Sequence, residues 1–174
     1  MHRVQRIFLL VCLTIFCWQA GAAAASAPIS DMNISEFTQA VERLAAQEGT
    51  PTYFSDYRHL TPTGKKDGDF DVYPLDYNDG THRAVILYSA RDTESPIEHI
   101  TLLWEKGDET AMNNVADLGD LMGSVIGLTE EESDTMTSQG NNASVWCKAA
   151  HRRICAELVQ SDTAYGIFLT AEDS

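Results

Sequence analysis

Positive charge is scarce in this chain: 174 residues carry 12 Lys and Arg against 26 Asp and Glu, a formal net charge of −14. A surface this acidic gains neither counterion release from nucleic acid nor attraction from anionic headgroups, so both are excluded as expected partners. Apolar runs of membrane length are missing too. The longest, residues 7–18, falls short of the roughly 18 to 20 residues that a span needs, and no later segment approaches it. Cysteine is limited to four residues, and two of them, Cys12 and Cys17, lie inside the N-terminal apolar run. The local signatures of nucleophilic catalysis are absent: there is no Gly-x-Ser-x-Gly elbow, no Ser-x-x-Lys and no papain-like cysteine segment. No cofactor is expected.

What the N-terminus does contain is a graded pattern. His2, Arg3 and Arg6 precede the apolar run, and the small-residue stretch Gly21-Ala22-Ala23-Ala24-Ala25-Ser26-Ala27 follows it. These are the three regions of a cleavable secretory signal, expected at residues 1–25 with a cut after Ala24 or Ala25. Neither Cys12 nor Cys17 follows the small residue that a bacterial lipoprotein cysteine requires, so the expected product is released without a membrane anchor. Residues 26–174 then form a single acidic domain, exported to a periplasmic or extracellular compartment. Removing Arg3 and Arg6 leaves 10 basic residues against 26 acidic ones, a net charge of −16.

Two cysteines remain after processing. In an oxidising compartment an even pair reads as one bridge, Cys147 to Cys155. Their midpoint is His151, so the expected bridge staples a hairpin turning at residues 150–152. Its short loop puts its stabilisation at the lower end of about 2–4 kcal/mol.

Along the mature chain, Ile34, Phe37, Val41, Leu44 and Ala45 recur at helical spacing and predict a helix over 30–48, capped by Asp31, Asn33 or Ser35 and ended by Gly49. Residues 50–68 read as a long connection with a short strand at 52–57. Three β-rich runs, 69–77, 81–91 and 97–105, predict an antiparallel meander turning at Asn78-Asp79-Gly80, with the Pro74 strand at an edge. A second amphipathic helix is expected over 108–128 and a short third one over 129–137, where Thr129 precedes three glutamates. The C-terminus returns to strands at 144–149, 152–160 and 165–171. The class is therefore α+β: an antiparallel sheet, built of the meander and the C-terminal strands, with helices packed on one face.

The candidate chemistry is thin. Asp67-Gly68-Asp69-Phe70-Asp71 places carboxylates at alternate positions, but Val72 and Asn78 stand where an EF-hand loop needs Gly and Glu. His82, His99 and His151 are scattered, Ser55 and His59 are close only in sequence, and no metal site is expected. Tyr53, Phe54, Tyr57, Phe70, Tyr73 and Tyr77 read first as packing and second as a pocket lining. Asn33 and Asn142 head glycosylation sequons, which matter only in a eukaryotic source. The leading expectation is a non-enzymatic exported binding domain for a cationic protein or peptide, such as an inhibitor or immunity-type protein against a cationic enzyme. The alternative is a small secreted hydrolase with a carboxylate/His site that no motif reveals. A third class, an envelope-associated structural protein, would expose a broad apolar patch.

Overall fold

The computed structural model describes residues 26–173, so the expected signal at 1–25 lies outside the described residues. The elements are β1 (Ser26–Ala27), α1 (Ile34–Glu48), β2 (Lys66–Asp67), β3 (Phe70–Asn78), β4 (Arg83–Ala90), β5 (Ile97–Glu105), α2 (Glu109–Ile126), α3 (Glu130–Gln139), β6 (Asn142–Cys147), β7 (Arg152–Gln160) and β8 (Ala164–Glu172). This is the α+β class expected from the sequence. All strand pairs are antiparallel, in the order β2-β3-β4-β5-β8-β7-β6, with β1 beside the far end of β8. No helix of the described residues is long and apolar enough to cross a membrane.

Local chemistry sets the helix limits. Asn33 accepts the Glu36 amide at 2.9 Å while Glu36 reaches back to the Asn33 amide at 3.2 Å, and Thr129 and Glu132 repeat this reciprocal cap on α3. Gly49 ends α1 with φ of 73°, a left-handed conformation that glycine adopts without a Cβ penalty. The third helix runs two residues past its expected end, to Gln139.

Strand alternation divides the core. Tyr73, Leu75, Tyr77, Ile86, Tyr88, Ile100, Leu102 and Trp104 lie in one cluster with Ile34, Phe37 and Val41 of α1 and Val115, Leu118 and Met122 of α2. The other face carries a smaller cluster, Val72, Val85, Leu87, Leu103 and Val159, with Phe168 against it, and no helix residue belongs to it. Helical apolar residues thus join a single side of the sheet, as period-two alternation requires.

The connection over 50–68 is less irregular than its composition implies. Instead of a strand at 52–57 it makes one bridge, Phe54 to Tyr77, and then follows the outer edge of β3. Ser55 donates to Asp76 O, Asn78 to Tyr53 O and Thr63 to Val72 O, each at 2.9 Å. The even-numbered residues of β3 direct their backbone groups to this edge, so the amide hydrogen that Pro74 lacks costs no bond to β4.

The opposite edge, β6, is closed by side chains. The Gln139 carboxamide donates to Ser144 O at 3.1 Å and accepts Ser144 N at 2.8 Å, as a neighbouring strand would. Glu132 Oε1 accepts the Lys148 amide at 3.4 Å. An unpaired edge would otherwise present a row of backbone donors and acceptors to another chain.

The expected Cys147–Cys155 bridge is not formed; both cysteines are free thiols. Ser144 faces Cys155 and Cys147 faces Arg152, so the turn is 148–151 and Cys147 pairs three positions away from the expected partner. An odd register shift puts the two residues on opposite faces of the sheet. The reason lies in burial: Cys147 is fully buried with Ile154 in the helix-side core, which a turn centred on His151 would not allow. His151 instead takes a φ of 53° within the four-residue turn.

Candidate functional site

Three strands converge on one carboxylate. Asp67 ends β2 just before the Gly68 turn, and its Oδ2 accepts the Ser89 hydroxyl of β4 at 2.8 Å. The same oxygen lies 2.6 Å from His99 Nδ1 of β5. His99 is clasped edge-to-face by Phe70 and Phe168, with ring centroids at 5.7 and 5.3 Å. Alternation places Asp67, Phe70, Ser89, His99 and Phe168 on the face opposite the helices. Burial pushes the Asp67 carboxyl up, but the His99 hydrogen bond and charge and the Ser89 hydroxyl outweigh it, leaving Asp67 below the ordinary carboxylate range. Two positions along β5, Thr101 is 2% exposed, and its Oγ1 is the one buried side-chain polar atom without a hydrogen bond among the described residues.

This arrangement fixes one tautomer: Nδ1–H donates to Asp67, leaving Nε2 as the nitrogen able to accept a proton. That is how an imidazole is oriented as a general base. Ser89 does not serve it as a nucleophile, because its hydroxyl bonds to Asp67 rather than to His99. The thiol on this face, Cys155, pairs with Thr170 on β8 and lies two strands from His99, about 10 Å away. Burial and Glu172 push that thiol up against the opposing effect of Arg153, so it is not held as a thiolate.

A second imidazole–carboxylate pair stands at the head of α2. His82 Nδ1 lies 2.8 Å from Asp108 Oδ1, and Asp108 also accepts the Ala111 amide as the helix N-cap. Hydrogen bonds from the helix amides, with His82, hold the Asp108 carboxyl low. A cavity of 490 Å³ opens here, lined by His82, Lys106, Asp108 and their neighbours. Lys106 is committed elsewhere, 4.6 Å from the Tyr165 ring centroid.

The remaining sequence candidates do not converge. Asp71 pairs with Lys66 at 2.9 Å and Asp69 is exposed, so the alternating carboxylates over 67–71 point to separate partners. No group of three or more His, Cys, Asp or Glu among the described residues could hold a metal ion. Ser55, His59 and His151 are exposed. Tyr53, Phe54 and Tyr57 pack against the helix-side core, and Tyr57 donates to Glu42 at 2.6 Å, which pushes its phenol up to about 12. Asn33 serves as a helix cap, and Asn142 is exposed at the start of β6.

Because the folded-state pKa of Asp67 is depressed, the stability it contributes is complete above the unfolded carboxylate pKa and is lost as pH falls through the lowered value. Asp67→Asn is therefore expected to destabilise the domain by roughly 1–3 kcal/mol at pH 7. The difference from wild type should narrow below about pH 4, where the unfolded carboxyl is protonated. Denaturant titrations from pH 3 to pH 7 measure this directly; a constant difference across that range would contradict it. No protein-family model, curated protein or solved structure matches the chain.

Proposed function

We propose that the chain is an exported, non-enzymatic binding domain that engages a cationic protein or peptide through α2 and α3. The observation that carries this reading is an unbroken stretch of one charge sign. Between Lys106 and Lys148 there are eight carboxylates and no Lys, Arg or His. Asp108 and Glu132 are committed to caps and to His82 or Lys148, but Glu109, Asp117, Asp120, Glu130, Glu131 and Asp134 are exposed. Burial, with the charges of Asp117 and Asp134, pushes the Asp120 carboxyl up, so α2 and α3 carry like charges close enough to repel. A cationic partner relieves that repulsion and is steered to it. The graded N-terminus supports export, and an inhibitor or immunity-type protein against a cationic wall hydrolase is the concrete form we favour.

The test is binding of the mature domain to a panel of cationic lysozymes and amidases at low and high salt. A complex weakened at least tenfold by high salt and by the triple change Asp117→Asn, Asp120→Asn, Asp134→Asn is expected. Absence of any salt-sensitive complex, or equal binding by the triple variant, overturns the reading.

One observation favours a second reading, a small exported hydrolase: Asp67 orients His99 as a base would be oriented. It ranks second because the cavity at His82 involves neither residue. Hydrolysis of simple ester or peptide substrates that His99→Ala abolishes while the fold persists would reverse the order.

A further inference from the structure

We infer that the Ala25–Ser26 peptide bond is the processing site of this chain, and that the cut creates a terminus which the fold then holds. The inference rests on the export reading and adds to it the register of cleavage. From Ser26 onward the chain is built into the domain. Ser26 pairs with Glu172 and Ala27 with Ala171, extending the sheet along the end of β8. Ala27 and Ile29 are 3% and 1% exposed, both in the helix-side core. Ile29 donates to Glu98 O at 3.3 Å, and Ser30 exchanges backbone bonds with Ile97 at 3.2 and 3.1 Å. The Pro28 carbonyl accepts from the Arg152 guanidinium, which also reaches Asp31 at 3.1 Å.

These contacts limit where a cut is tolerable. Cleavage after Ser26 removes half of β1, and cleavage after Ala27 also empties a core position and leaves proline directly beyond the cut. A signal-type peptidase reads small side chains one and three residues before the scissile bond, and Ala25 and Ala23 meet that need. Cleavage between Ala25 and Ser26 is the last that keeps every paired residue.

Charge separates this bond from its upstream neighbours. Hydrolysis adds water across the amide: the oxygen goes to Ala25, which leaves as the carboxylate end of the signal, and Ser26 leaves as an α-ammonium. That ammonium is generated opposite Glu172 in the β1–β8 pair, where cross-strand partners lie about 4.5–5.5 Å apart. On its other side Glu172 is paired with Arg153 of β7. A cut farther upstream leaves the new charge on a residue beyond the Ser26–Glu172 pair.

The experiment expresses all 174 residues in an exporting bacterial host and reads the intact mass and N-terminal sequence of the extracytoplasmic product. A chain opening at Ser26 is expected. A start at Ala27 or later, or at Ala25 or upstream, overturns the register, whereas uncut chain retained inside the cell overturns the export reading beneath it. A second arm measures pulse acetylation of the α-amine in the matured protein and its Glu172→Gln variant at neutral pH. Loss of the facing carboxylate should make the amine less basic and speed labelling roughly threefold. Equal labelling of the two proteins overturns the claim that the fold holds the terminus.

Discussion

Phe37→Ala should cost about 3–5 kcal/mol, the range for emptying a fully buried aromatic position. Phe37 is 0% exposed and sits edge-to-face with Tyr88 at 6.3 Å, where α1 meets the centre of β4. Since domains of this size are stable by roughly 5–15 kcal/mol, the loss consumes a large share of the total. Urea titration should show a lower midpoint with an unchanged slope; a shift under 1 kcal/mol would mean that α1 is not anchored there. Tyr88→Phe is the control. It keeps the ring and removes the 3.2 Å contact with the Thr38 hydroxyl, itself bonded to Ile34 O, so about 1 kcal/mol is expected.

Gly166→Ala should cost about 3 kcal/mol, at the upper end of the usual range for overpacking. A Cβ at Gly166 would stand 2.4 Å from a Leu103 methyl, 2.9 Å from the Leu102 carbonyl oxygen and 3.0 Å from Val159. The carbonyl cannot rotate aside, and Gly166 lies in β8, paired to β5 on one side and β7 on the other. The melting temperature should fall by roughly 6–12 °C at the 2–4 °C per kcal/mol typical of this size. Adding Leu103→Ala should recover part of the loss, giving a favourable coupling between neighbouring sites. Additive losses would indicate that the backbone, rather than Leu103, sets the penalty.

The parts legible in sequence were those with local grammar. Ile34, Phe37 and Val41 repeat at helical spacing behind an Asn33 cap, and the β-rich runs around Asn78-Asp79-Gly80 alternate between turn formers; both patterns determine structure within a few residues. Strands β1 and β2 leave no signal in the sequence, because two residues have no period. The β6–β7 register differs from the one that the cysteine spacing predicts because Cys147 is buried beside Ile154, and burial decides faces. The Asp67–His99 pair was invisible for a topological reason. Its members are 32 positions apart, joined only because β2, β4 and β5 present the same face. The acidic excess is legible in the composition of the whole chain, and the two helices over this stretch are legible from their spacing; what the fold adds is that six carboxylates on α2 and α3 are exposed.

The side-chain closure of β6 divides the labour of α3. Glu132, Met136 and Gln139 fall on one stripe, with Glu132 and Gln139 bonded to backbone and Met136 against the core. Glu130, Glu131 and Asp134 are turned outward. Edge closure and exposed charge thus lie on different sides of a ten-residue helix, so the outer side can drift or reverse its charge without giving neighbouring molecules a strand to grow on.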